Sequence, residues 1–494
     1  GGRSLLQTVK EGKGWKQPCF ISLCRNSKLH RMSVAEGLKG ARAELEQLPA
    51  LQKIRKAVQL SVIISQELFG SLLQIPYGFR AFRTYHSLPK AALPGASKED
   101  AVTLIRDLRY ASGERCVIDL YLPPGKDLSK TFDDDTGTPA ALFCHGGVWS
   151  TGSKWHYAPM AKRMAQEGVL VGVMQYSLYP QAMVPRMVDE VGAALTWMMD
   201  NAQRYGASSD RVSLLGHSAG AHLCAMALLQ RAPIAAGSKE GRAGGGEDAR
   251  MPQQFIGMAG VYDVSQHYLY EEARGVAKLS TMERAMGGSA GFAALSPSQL
   301  LAEAAWRHRQ HAERRQLEGL RGERLSQRIG LDHDLDGPLP PVTAPGESPA
   351  APVLSQKDMA ALPPVFLLSG MKDTVVPWYE SAEFALRLRD AGVPVKKLTY
   401  KAADHGTFVT GWRAKNGPAR PEDGLPDPCE DTLEIIKRGH SSVAFPRSLS
   451  VGTLDSAGKG SASLLEEFGA GADSPEQIKA CTDPPEEPSA GAPA

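Results

Sequence analysis

From about residue 100 the chain alternates short apolar runs with stretches of helical period, and this alternation constrains the fold more than any other feature of its 494 residues. CVIDLYL (116–122), AALFC (140–144), VLVGVMQY (169–176), VSLLG (212–216), QFIGMAG (254–260), PVFLLSG (364–370) and VKKLTY (395–400) have the length and composition of strands. Between them lie YAPMAKRMAQEG, VPRMVDEVGAALTWMMDNAQRYG (184–206), AGAHLCAMALLQ and WYESAEFALRLRDAG, which read as helices. The second ends on glycine, as helix C-termini commonly do. Strands such as AALFC and VSLLG are nearly apolar throughout, so both faces must be covered. The expected class is α/β, with a mostly parallel central sheet and helices on both faces.

Other segments interrupt this order. AAGSKEGRAGGGEDAR (235–250) reads as a Gly-rich, charged loop. Residues 298–328 read as a helix with seven arginines between 307 and 328 against three glutamates, followed by Pro-rich DHDLDGPLPPVTAPGESPAAP. The pattern therefore divides into a basic N-terminal tail (1–50), an amphipathic helical segment (51–95), a catalytic domain (96–440) with inserted helical and disordered segments near 233–252 and 298–360, and a disordered C-terminal tail (441–494). The first 35 residues carry seven Lys/Arg and one acid, Glu11, a pattern that hints at targeting or membrane proximity. The opening Gly-Gly reads as the start of a fragment or a processed form. No run of 18 apolar residues occurs. In residues 56–79, Leu60, Ile64, Leu68 and Leu72 recur every fourth position, which predicts a helix docked on the domain or lying at a membrane surface.

Composition narrows the function. A net charge of +2 argues against a dedicated nucleic-acid binder. Cys19, Cys24, Cys116, Cys144, Cys224, Cys429 and Cys481 are odd in number and form no CxxC pair, which predicts a reduced, intracellular setting. DHDLDG places Asp332, Asp334, Asp336 and Gly337 as the first half of a calcium loop does. Its twelfth position is Thr343 instead of a bidentate glutamate, so the site is rejected. No metal or organic cofactor is expected.

The chemistry-bearing pattern is Gly216-His217-Ser218-Ala219-Gly220, a G-x-S-x-G directly after one strand and opening a helix. There the serine occupies a sharp turn that exposes its hydroxyl. A serine nucleophile also needs a base, an acid and donors for the developing oxyanion. His145-Gly146-Gly147 ends the strand AALFC, so the backbone N–H groups of Gly146 and Gly147, with that of Ala219, are the candidate donors. Asp373 follows PVFLLSG and His405 follows VKKLTY. The order Ser218, Asp373, His405, each beyond a strand's C-terminal end, is that of a strand–elbow–helix hydrolase. Asp404 is expected to face solvent or cap a loop, His217 to pack under the elbow, and His222 to lie on the following helix. His267, His308, His311 and His333 are expected at the surface. Trp149, Trp155, Tyr157 and Met160 are the candidate lining of an apolar substrate pocket.

With these residues assembled, residues 100–440 resemble the α/β-hydrolase superfamily, on its esterase/lipase branch with an HGG oxyanion motif. RCVIDLYLP, YSLYPQAMVPRMVDEV, GHSAGAHLCAMALL, LPPVFLLSGMKDTVVP and ARGVAKLSTMERAMGG are similar to the isoprenylcysteine methylesterases; HGGVWSTGSK and GHSAGAHL are also similar to the kynurenine formamidases. The first resemblance implies hydrolysis of the methyl ester of prenylated cysteine at an intracellular membrane, with residues 56–79 as a peripheral contact. The second implies hydrolysis of N-formylkynurenine in the cytosol. A general carboxylesterase, and a non-catalytic hydrolase-fold protein that binds a ligand, remain as alternatives. The chain departs from the methylesterases in carrying His217 where they carry glutamine, and in the insertion at 298–360.

Overall fold

The computed structural model describes residues 36–61 (except 38, 41, 44 and 59), 74–89, 101–125, 137–237, 249–328 (side chains to 316), 354–413 and 426–439. The basic tail before residue 36, the centre of the 56–79 segment, most of the Gly-rich loop, the Pro-rich run with Asp332–Gly337 and His333, and the C-terminal tail lie outside the described residues.

Eight strands form one sheet: β1 (Thr103–Arg109), β2 (Val117–Leu122), β3 (Ala140–Cys144), β4 (Leu170–Met174), β5 (Val212–His217), β6 (Gln254–Met258), β7 (Val365–Gly370) and β8 (Val395–Tyr400). Their order is β1-β2-β4-β3-β5-β6-β7-β8. β2 pairs antiparallel with β1 and β4; every pairing from β4 across to β8 is parallel. The fold is that of an α/β hydrolase. β2 to β7 are buried along their whole length, the physical reason for their mostly apolar composition. β1 was not legible, because Arg106 and Asp107 sit in a bulge that breaks its alternation.

The covering helices are α1 (Ile75–Ser87), α2 (Ala158–Gln166), α3 (Val184–Asn201), α4 (Ala219–Ala235), α5 (Val264–Ala273), α6 (Pro297–Arg328), α7 (Trp378–Asp390) and α8 (Pro428–Arg438). α3 is shorter than the 184–206 stretch suggested. It gives way to a 3₁₀ turn at Gln203–Tyr205 before Gly206 takes a left-handed φ of 78°. α4 is buried on nearly all sides, which explains why its sequence is apolar all round. Among the described residues no helix is long and apolar enough to cross a membrane.

Helix α1 is fastened to the sheet by polar bonds, since Ala81 is its one buried residue. Its anchor is Asp119, which lies on β2 with no exposure. Asp119 accepts from the Tyr85 hydroxyl (2.8 Å), the Asp107 N–H (2.9 Å) and the Lys154 ammonium (2.5 Å), which also meets the Asp107 carboxylate. At the other end Tyr77 donates to the carbonyls of His156 (2.8 Å) and Val409 (3.2 Å), and Arg80 donates to that of Trp412. Ile75, Phe79 and Phe82 stay exposed.

Lys154→Met removes the cation that a fully buried carboxylate requires. The expected loss is about 3–5 kcal/mol of folding free energy, read from urea denaturation, because an uncompensated buried charge is left behind. Lys154→Met combined with Asp119→Asn should recover part of that loss. A single variant as stable as the parent would show that the pair contributes nothing.

Candidate active site

β3 and β5 are adjacent, and Cys144 pairs with Gly216 on the same rung. The chain leaves β3 outward to β4 on one side and later returns to β5 on the other. The loops after these two strands therefore flank the crevice that such a change of direction opens.

After β5 the chain turns into α4 through Ser218, at φ 55° and ψ −126°. A non-glycine residue held in such a sparsely populated region costs roughly 1–3 kcal/mol. The neighbouring strand holds it: the Ser218 N–H donates to the Met258 carbonyl (2.9 Å), and its own carbonyl accepts from Ala221 (2.9 Å) and His222 (3.2 Å). Gly220 permits the turn, since a Cβ there would lie 2.2 Å from the Cys144 carbonyl oxygen. α4 thus starts directly against the end of β3.

The opposing loop, Gly146 to Trp149, lies on the elbow itself. A Cβ on Gly146 would come 2.9 Å from both the Ser218 Cβ and the His217 carbonyl. Beyond it Gly147, Val148 and Trp149 all have positive φ (124°, 48° and 56°). Burial pushes the Tyr157 phenol up in pKa, and the Gly146 N–H, turned toward that phenol, opposes the rise. Of the expected donors Gly146, Gly147 and Ala219, the first has this second partner, which favours Gly147 and Ala219 as the pair.

Asp373 lies three residues beyond β7. One carboxylate oxygen accepts the N–H groups of Val375 and Val376, both at 2.9 Å. The other meets His405 Nδ1 at 2.8 Å. The Asp373 side chain is fully buried, while the His405 ring keeps 20% exposure. His405 follows β8 and lies beside the elbow: His217 Nε2 donates to its backbone carbonyl (2.9 Å), and the two rings are 4.8 Å apart.

The other expected residues divide. His217 packs under the elbow, and burial, aided by the nearby His405, lowers its pKa to about 3. Asp404 caps its loop, accepting the Thr407 N–H at 2.9 Å. His311 is exposed and His308 half-buried. His267 contradicts its expectation. It is 4% exposed, and its Nδ1 lies 2.7 Å from Glu380, whose carboxylate outweighs burial and raises the histidine's pKa. Glu380 stands more than 100 residues away, so nothing near His267 in the sequence announced the pair.

Of the four candidate pocket residues two are buried, and Trp155 and Tyr157 keep partial exposure. Met160 has no exposure and Trp149 has 2%. Tyr157 stacks on His145 with ring centres 5.9 Å apart. Trp155 packs edge-on against Phe82 of α1 at 6.1 Å. Sequence analysis missed the partner that claims Trp149, which is His222 at 3.2 Å.

Comparison with known proteins divides the chain in the same place as its insertion. A family described as BD-FAE matches residues 118–294, and the prolyl oligopeptidase family matches residues 345–416. The first span holds the Gly146 loop and Ser218; the second holds Asp373 and His405. A protein of Oryza sativa subsp. japonica named as a probable isoprenylcysteine alpha-carbonyl methylesterase, ICME, is 25% identical over 309 residues, 61% of this chain and 58% of that one. The Arabidopsis thaliana isoprenylcysteine alpha-carbonyl methylesterase ICME is 24% identical over 307 residues, covering 61% and 56%. The kynurenine formamidase of Drosophila melanogaster is 28% identical over 159 residues, covering 32% and 46%. The matched stretch spans less than two thirds of each of these relatives.

His217→Gln retains a donor for the His405 carbonyl and removes a buried ring that titrates. Unfolded, the ring takes its proton near pH 6.5; folded, it stays neutral down to about pH 3. Between these values the unfolded state binds one more proton, so stability falls as pH falls. From roughly pH 6 to pH 4 the variant's unfolding free energy should therefore change less steeply, by about one proton or ~1.4 kcal/mol per pH unit. Denaturant titrations across that range measure it, and an unchanged slope would mean that the folded ring is charged.

Proposed function

We infer that this chain, which belongs to the α/β-hydrolase superfamily, is a serine hydrolase of carboxylic esters, with Ser218 as nucleophile, His405 as base and Asp373 as the acid that orients it. The observation that carries the reading is the 2.8 Å contact of His405 Nδ1 with a fully buried Asp373, beside a serine held in a strained elbow. A carboxylate at Nδ1 selects the tautomer with its proton there and leaves the Nε2 lone pair to accept the serine proton.

The reaction then proceeds in two halves. Ser218 Oγ adds to the ester carbonyl while its proton passes to His405 Nε2. The amides of Gly147 and Ala219 hold the negative oxygen of the tetrahedral intermediate. Collapse breaks the carbon–oxygen bond, and the imidazolium gives its proton to the departing alkoxide. Water, deprotonated by the same nitrogen, adds to the acyl enzyme. The second collapse releases the carboxylic acid and returns the proton to Ser218.

For the substrate we propose the methyl ester of a prenylated cysteine. Two relatives named as isoprenylcysteine methylesterases, aligned over 61% of this chain, support it. N-formylkynurenine is the second reading, supported by the shorter match to a formamidase. The same triad serves either bond, since both present a carbonyl to the elbow. Contact with a membrane through residues 56–79 is proposed with the first reading alone.

A fluorophosphonate probe should label Ser218, and Ser218→Ala should abolish both labelling and ester turnover; labelling that survives in the variant defeats the assignment. Asp373→Asn, which favours the wrong tautomer, should lower kcat by ~10³–10⁴-fold with little change in fold. Turnover of farnesylcysteine methyl ester, N-formylkynurenine and short p-nitrophenyl esters separates the substrates. Preference for the formamide or for the short esters removes the methylesterase reading, and inactivity on all three with an unlabelled Ser218 favours a ligand-binding protein.

A further inference from the structure

The proposed oxyanion hole has two halves on different segments: the Ala219 amide belongs to the elbow and α4, and the Gly147 amide to the loop after β3. The loop half has an unfavourable backbone. Val148, a β-branched residue, and Trp149 both take left-handed φ values of 48° and 56°. Each such residue costs on the order of 1–3 kcal/mol and persists only where its surroundings over-determine it. Three contacts do so. The Thr281 hydroxyl donates to the Val148 carbonyl, the Tyr179 N–H donates to the Trp149 carbonyl (2.8 Å), and the Trp149 indole N–H reaches His222 Nδ1 at 3.2 Å.

The third contact differs from the others in what it connects. Thr281 and Tyr179 tie the loop to peripheral segments. His222 lies on the first turn of α4, four residues beyond Ser218, and its N–H donates to the Ser218 carbonyl at 3.2 Å. It is therefore the one side chain among these that joins the loop to the elbow. The imidazole has no exposure, stands perpendicular to the indole with centres 5.3 Å apart, and lies 2.7 Å from the Leu295 carbonyl through Nε2. An indole nitrogen can only donate and a carbonyl can only accept. His222 must then carry its proton on Nε2 and present a lone pair at Nδ1. Burial, the largest influence on it, lowers its pKa to about 4, so this neutral form holds across ordinary conditions.

We propose that His222 is a positioning residue that sets the separation of the two oxyanion donors by holding Trp149 against the helix that begins at the nucleophile. It touches no reacting atom. Its effect is on the transition state, because an ester in the ground state makes little demand on the hole, whereas the tetrahedral oxyanion needs both amides at hydrogen-bond distance. Misplacement of a donor by about 1 Å far from the chemistry is enough to cost ~10²-fold in rate.

The inference rests on the reading of Ser218 as nucleophile, which Ser218→Ala tests separately. Steady-state kinetics on a short p-nitrophenyl ester would compare His222→Leu, Trp149→Phe, their combination, and His222→Gln, whose amide oxygen and NH₂ can remake both bonds. The expected pattern is a fall in kcat of ~30–100-fold for His222→Leu and ~10–30-fold for Trp149→Phe, with KM within about twofold of the parent. The combination should be no worse than His222→Leu alone, and glutamine should recover most of the loss. Affinity for a trifluoromethyl ketone, which forms the tetrahedral adduct, should fall in step with kcat/KM, while affinity for a methyl ketone of the same shape should not. Should His222→Leu fail to fold, the contrast between Trp149→Phe and His222→Gln decides. Parent-like kcat in Trp149→Phe, multiplicative losses in the combination, or a loss confined to KM would overturn the proposal. If Ser218→Ala retains turnover, it is the nucleophile reading that has failed.

Discussion

The closeness of α4 to the end of β3 is the constraint on which the rest of the site depends. Gly220 lies so near the Cys144 carbonyl that no side chain fits between them. That proximity forces the chain to reverse abruptly after β5, and the reversal puts Ser218 in its strained conformation. Because Cys144 and Gly216 share a rung, the loop leaving β3 starts level with the elbow and lies on it. Ser218 and the Gly146–Trp149 loop are thus placed by sheet register and by one helix–strand contact, both built from buried backbone. Flexible side chains come in only where a loop has to be pinned.

The histidines around this centre do two kinds of work. His145, His217 and His222 are buried, their pKa values lowered to about 3, 3 and 4, chiefly by burial. Each has one ring nitrogen against a backbone carbonyl, of Gly146, His405 and Leu295 respectively. They act as neutral, rigid donors that lock turns which would otherwise leave carbonyls unpaired inside the protein. His405 and His267 instead face carboxylates. A carboxylate stabilises the imidazolium, which burial beside a carbonyl does not.

Much of this was legible because the relevant signals are local. Buried parallel strands announce themselves as mostly apolar runs, and Ser218, Gly147 and Asp373 each follow such a run within a few residues, while His405 follows the more polar edge strand β8. The features that were not legible depend on partners distant in the chain. His267 looked like a surface residue because Glu380 is far from it in sequence. Trp149 looked like a pocket wall because an aromatic after a Gly-Gly turn carries no mark of the histidine 73 residues later that takes its N–H. β1 was hidden for a different reason: Asp107 gives up the strand's alternation to donate its N–H to Asp119.

The same distinction bears on substrate choice. The two family matches, 118–294 and 345–416, lie on either side of α6, and between them they contain every residue assigned to the chemistry. α6 packs by its first turns: Leu301, Ala304 and Ala305 are buried, while Arg309 to Gln316 are exposed one after another. α1 docks through the Tyr77 and Tyr85 hydroxyls and the Arg80 guanidinium and leaves Ile75, Phe79 and Phe82 outward. Among the described residues, neither helix enters the hydrogen-bond set of Ser218, Asp373 or His405. Either can therefore change without disturbing a turn whose geometry is dictated from within the sheet. A fold assembled this way leaves room for change at its periphery, because among the described residues neither α1 nor α6 supplies a hydrogen bond to Ser218.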